Sequence, residues 1–174
     1  MIPVADWEKN LPKDLPPITI DPTVALTRPM TIKAYDYWQS ARAGRAMPAR
    51  KDIAPQAMRA FVGHVALVEL RAGEGGKIDY VMRLAGARIE DAFGAITGRA
   101  LPEFMPPRIE ARWRMVMDKV IASAAPLRAA SRVSFGGKTW LQAEVVLAPL
   151  GDGGTVSMLF GAIELWPVDA NAPA

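Results

Sequence analysis

The sequence predicts an α+β fold: a five-stranded antiparallel sheet with short helices and one long helix on one face, plus an N-terminal helix. Three observations carry this. Two apolar, β-branched runs, "HVALVEL" and "IDYVMRL", flank the glycine-bearing "RAGEGGK", the pattern of a hairpin with a longer loop. A stretch with apolar residues at helical spacing starts after Pro106 and Pro107 and ends before Pro126. Three more strand-like runs, at residues 127–135, 139–149 and 155–166, are separated by the turn sequences "FGGK" and "GDGG". With 174 residues, the chain suits one domain with extensions. We expect a proline-rich arm at 1–29, a helical extension at 30–62, the core domain at 63–167 and a tail at 168–174.

The arm contains Pro3, Pro12, Pro16, Pro17, Pro22 and Pro29. Each lacks a backbone donor and biases its predecessor toward extended geometry, so an irregular arm draped on the domain is expected. Thr31 is placed to cap a helix through about residue 43. Its Ile32, Tyr35, Trp38 and Ala41 form one apolar stripe, and Gly44 stops it. "RAMPARKDIAP" reads as a loop, followed by a short helix at 55–61 with proline in its first turn.

In the second strand Ile78, Tyr80, Met82 and Leu84 share a face, because the side-chain period is two. Gly86 lets the chain leave that strand. "ARIEDAFG" makes about two helical turns with Ile89 and Phe93 on one side. Gly94 suits a left-handed helix end, and Leu101 and Phe104 face inward. Ile109, Trp113, Val116, Met117, Val120 and Ile121 make the buried stripe of the long helix. Glu110, Arg112, Arg114, Asp118 and Lys119 lie opposite.

The final strands alternate poorly. Leu141, Ala143, Val145 and Leu147 form one face. Trp140, Gln142, Glu144, Val146 and Ala148 form a mixed one. In the last strand Val156, Met158, Phe160 and Ala162 oppose Leu159, Ile163 and Leu165. A sheet with one wet face alternates more cleanly, so the outer face is expected to be covered by the 31–43 helix, by a second copy or by a partner.

Composition narrows the chemistry. The formal net charge is +3, with basic residues spread along the chain and interleaved with acids; nucleic-acid binding shows a concentrated basic face, and none is expected here. The absence of cysteine excludes disulfides, cysteine-ligated zinc and a cysteine nucleophile, and fits a reducing compartment. The start lacks a signal-peptide pattern, and no run approaches 18 apolar residues, so a cytoplasmic protein without membrane insertion is expected. His64 is the single histidine, and no metal-ligand spacing accompanies it. Glu90 and Asp91 are adjacent and diverge by about 100° on a helix; general acid–base work needs a perturbed pKa and a held substrate. No catalytic residue and no metal ligand is assigned.

The order of elements, with "YVMRLAGARIEDAFGAITGRALPEF" and "KTWLQAEVVLAPLGDGGTVSMLFGAIEL", resembles a PAS domain. The leader "AYDYWQSARAGRAMPARKDIAPQAM" resembles that of the alphaproteobacterial single-domain PAS proteins. The resemblance spans roughly residues 31–166. It implies a sensory or regulatory module that holds a small ligand between sheet and helices, or that docks on kinases and other signalling proteins. Haem-binding members take an iron ligand from the long helix, which here has no histidine; photoactive flavin members use a cysteine. Haem and flavin are therefore not expected, and the protein should be colourless above the aromatic band.

Tyr80, Met82, Ile89, Phe93, Phe104, Trp113 and Met117 are expected to converge over one sheet face as a ligand pocket or as filled core. Trp113 sits centrally, and its truncation to alanine would cost about 3–5 kcal/mol for a fully buried ring. Ile32, Tyr35, Trp38, Trp140, Leu159 and Ile163 are the expected interface. The remaining residues leave no room for a kinase, cyclase or DNA-binding segment, so signalling would pass by contact. The expected partners are a second copy of the chain and a signalling protein such as a histidine kinase. The alternatives are a small-molecule enzyme on the same scaffold and a ligand-free structural interaction protein.

Overall fold

The structure is a computed structural model that describes residues 3–133 and 141–168. Its elements are α1 (Val4–Lys9), β1 (Thr19–Asp21), α2 (Pro29–Arg42), β2 (Val65–Ala72), β3 (Ile78–Ala85), α3 (Ala87–Phe93), α4 (Pro107–Ser123), β4 (Leu127–Val133), β5 (Leu141–Asp152) and β6 (Thr155–Pro167). The sheet runs β1-β4-β5-β6-β2-β3, with every neighbouring pair antiparallel. The α+β architecture is as expected, but the sheet has six strands, not five.

The sixth strand comes from the arm, which is not simply irregular. β1 pairs with β4, Ile20 opposite Ala129. Trp7 of α1 is buried in the core on one side of the sheet, and Leu11, Ile18 and Ile20 pack against the same core. The long helix holds this arm: Arg108 donates to the Pro12 carbonyl at 2.9 Å, and Arg112 donates to the Pro16 carbonyl. Prolines carry carbonyls but no N–H, and the guanidinium donors of α4 match them. Arg112 thus does not simply face solvent.

Two cores flank the sheet. The inner one lies under α3 and α4 and includes Val68, Tyr80, Met82, Val116, Val145 and Leu159. The outer one lies under α2 and residues 47–62 and includes Trp38, Met58, Leu67, Val146 and Phe160. Coverage on both faces explains the poor alternation of β5, which is buried from Ala143 to Gly151.

Pro149 is tolerated in β5 because β4 ends its pairing opposite Leu147; beyond that point one edge of β5 needs no ladder donor. The β5–β6 hairpin closes through Gly153 and Gly154, both at positive φ (57° and 83°), as a two-residue primed turn requires.

Three local expectations are corrected. α2 starts at Pro29, with Thr31 buried inside its first turn instead of capping it. The segment after Ala54 is a short 3₁₀ turn, Pro55–Met58. Leu84 leaves the face of Tyr80 and Met82: pairing with β2 shifts between Leu67 and Val68, so Arg83 is an extra residue and Leu84 joins the outer core. Gly86 serves by lacking a side chain. A Cβ there would stand 2.2 Å from the Val62 carbonyl oxygen.

Candidate functional site

The inner face of the sheet bears a partly open cavity of ≈ 80 Å³. Met82, Ile89, Phe93, Trp113 and Met117 line it, closed below by Val145 and Ile163. Every lining residue is apolar. Five of the seven expected pocket residues therefore converge. Tyr80 and Phe104 belong to the same core but do not line the cavity. Trp113 is half-buried, so the cost for a fully buried ring does not apply to it. Met105 and Ile96 also line the space, at positions with no regular periodicity to mark them.

Tyr80 is instead the end of a polar link between sheet and long helix. Its hydroxyl donates to Asp118 Oδ1, and the Arg114 guanidinium lies 5.1 Å from its ring centroid. Burial first, and then the Asp118 carboxylate, raise the phenol pKa above its ordinary value, so it stays a neutral donor. Arg114 is paired with Glu110 at 2.7 Å. Glu90 accepts from the Thr97 hydroxyl at 2.8 Å, a loop-ordering contact. His64 Nδ1 stands 2.9 Å from the Ile163 carbonyl, which fixes Nδ1 as the donor. Among the described residues no group of three histidine, aspartate or glutamate side chains is placed to hold a metal ion. Among them no helix is long and apolar enough to cross a membrane.

On the outer face the polar residues are more organised. Glu144, 0% exposed, sits near the start of β5, directly opposite Glu164 of β6. Like charges at that spacing repel; Glu144 is paired with Arg128 of β4 and Glu164 with Arg28, and both accept hydrogen bonds from the chain entering α2. Glu144 Oε1 accepts from the Arg28 amide at 2.9 Å and the Thr31 hydroxyl at 2.6 Å. Its Oε2 accepts from the Thr27 hydroxyl and Arg128 Nε, both at 2.8 Å. Glu164 accepts from the Met30 amide at 2.9 Å and from Arg28 Nη2 at 3.1 Å. The Arg28 guanidinium also lies 4.4 Å from the Trp166 ring centroid. The N-terminus of α2 has no side-chain cap of its own; two carboxylates from the sheet occupy the positive end of the helix dipole.

Burial by itself pushes the Glu144 carboxyl up, but hydrogen bonds from Thr31, Arg128, Thr27 and the Arg28 amide outweigh it and bring the pKa down to about 2. The ordinary value is 4.5. A group whose folded pKa is depressed contributes stability that is complete above its unfolded pKa. That contribution is lost as pH falls toward the folded value, and here amounts to about 3 kcal/mol. Chemical denaturation between about pH 5 and pH 2 should show this loss in the parent and much less of it in Glu144→Gln.

The expected interface residues separate. Trp38 is 2% exposed, stacked on Tyr35 at 6.1 Å and donating Nε1–H to the Pro149 carbonyl at 2.9 Å. Leu159 and Ile163 face the inner core, away from α2, so the outer face they were assigned to is held by Phe160 and Ala162. Tyr35 is half-buried against the outer core. Ile32 points outward at 38% exposure; the buried side of α2 is Thr31, Ala34 and Trp38. Trp140 and the turn at 135–138 lie outside the described residues.

The family model described as PAS domain matches residues 26–164. Among solved structures, the chain is similar to the PAS domain of Bordetella pertussis BvgS, with 19% identity and a TM-score of 0.48, over 67% of this chain and 87% of that one. It is also similar to an RNA-binding Light-Oxygen-Voltage receptor, with 16% identity and a TM-score of 0.47, over 88% of this chain and 39% of the receptor. No curated protein matches the chain.

Proposed function

The chain belongs to the PAS domain family, a family of sensory and signalling modules, and from that premise we propose that it acts in signal transduction through protein contacts made by α2. The observation that carries the reading is Ile32. α2 seals the outer sheet face with one side, and on its other side leaves Ile32, which with Met115 makes up the large apolar residues exposed among those described. A homodimer about this helix is the favoured assembly, and a signalling protein such as a histidine kinase would dock on the same surface.

The inner cavity supports a module without haem or flavin. At ≈ 80 Å³ it is far below the ~300–1,000 Å³ of typical ligand pockets, and suits at most a small apolar molecule that gates the core. Its lining carries no titratable side chain, so this cavity is suited to binding and not to acid–base chemistry.

Light scattering on the full chain tests the reading. The parent should have the mass of a dimer, and Ile32→Asp the mass of a monomer with an unchanged melt. A monomeric parent, or an Ile32→Asp variant that remains dimeric, would overturn it.

A further inference from the structure

A second cavity, of ≈ 260 Å³, opens where α3 meets the ends of β5 and β6. Its wall has three parts. Arg88 and Asp91 stand three residues apart on α3, a spacing that puts their side chains on one face. Both are exposed, and neither has an ion-pair partner among the described residues. His64 contributes a ring whose Nδ1–H is committed to the Ile163 carbonyl, which in the neutral imidazole leaves Nε2 as an acceptor. The floor is apolar, made by Leu141, Ile163 and Leu165.

These groups specify a ligand chemistry. An isolated cation matches a carboxylate, for which guanidinium geometry is suited. An isolated carboxylate and a ring nitrogen acceptor match an ammonium. The apolar floor matches a branched aliphatic group. We infer that this cavity binds a free α-amino acid with an apolar side chain, its carboxylate on Arg88, its ammonium on Asp91 and His64, and its side chain over Leu141, Ile163 and Leu165. The volume lies near the lower end of small-ligand pockets, ~300 Å³, a size suited to a single amino acid. Ile163 also lines the inner cavity, so occupancy would bear on the packing of β6. The inference is independent of the protein-contact reading above.

Calorimetric titration of the full chain with L-leucine tests it, with 4-methylpentanoate and isoamylamine as probes lacking the ammonium and the carboxylate. L-leucine should bind saturably at one site. Each half-ligand should bind at least about tenfold more weakly, the value of one lost charge-assisted contact. Arg88→Gln and Asp91→Asn should each weaken leucine by a similar factor without shifting the thermal melt, since both side chains are exposed. Absence of saturable leucine binding would overturn the inference. So would leucine binding indifferent to both substitutions, or 4-methylpentanoate binding as tightly as leucine.

Discussion

Glu144→Ala is expected to destabilise the protein by about 3–5 kcal/mol, the range for breaking a buried, hydrogen-bonded ion pair. The reason lies in what is left behind. Arg128 loses its carboxylate partner at 2.8 Å, and the amides of Thr27 and Arg28 lose their shared acceptor. Glu164 alone then faces the entry of α2. Glu144→Gln should cost less, because one oxygen still accepts and the volume is kept. The loss should be local first, with the α2 amides exchanging with solvent before those of β2 and β6. Urea melts of the three proteins, with hydrogen exchange on α2, check this. A Glu144→Ala loss under about 1 kcal/mol, the worth of a single ordinary hydrogen bond, would mean that the carboxylate does not hold the helix.

Trp38→Ala is expected to cost about 3–5 kcal/mol, by leaving a cavity where a large ring packed. The ring fills the space between α2 and the outer sheet, and its removal also strands the Pro149 carbonyl. Trp38→Phe should recover most of the packing and lose only the hydrogen bond, about 1 kcal/mol. Thermal and urea melts separate the two. A Trp38→Phe variant as unstable as Trp38→Ala would place the weight on the hydrogen bond and not on the ring.

Much of this fold was legible in the sequence because it is written locally. The runs at 64–70 and 78–84, the stripe from Ile109 to Ile121 and the glycine turn before Thr155 each carry their own period or turn chemistry. The covered outer face was legible as well, since β5 and β6 are apolar on both sides. What escaped was set by distant partners. β1 is a three-residue edge strand among prolines, and only its pairing with β4 makes it a strand. The bulge at Arg83 depends on register with β2, and it moved Leu84 to the other core. The inside of α2 was misjudged by counting apolar residues alone: Thr31 is buried because a carboxylate more than a hundred positions later needs its hydroxyl. One signal for that site was present. A glutamate within "AEVVLAPL" cannot be buried in a central strand without partners, so its position alone calls for donors from elsewhere in the chain. Met82, Ile89, Phe93, Trp113 and Met117 carry the apolar periods that bring them to one cavity, while the Tyr80 hydroxyl is drawn to Asp118, a partner that no local period announces.

The measurement that tests the central claim most directly uses the absence of cysteine from the chain. A single spin label attached through Ile32→Cys, and separately through Met115→Cys, reports the distance between copies by dipolar coupling. A twofold dimer about α2 brings the same surface patch of both copies together. The account predicts a short, well-defined distance between copies for the label at position 32 and a longer one for the label at position 115. An absence of coupling between copies at position 32, or a shorter distance at position 115, would contradict it.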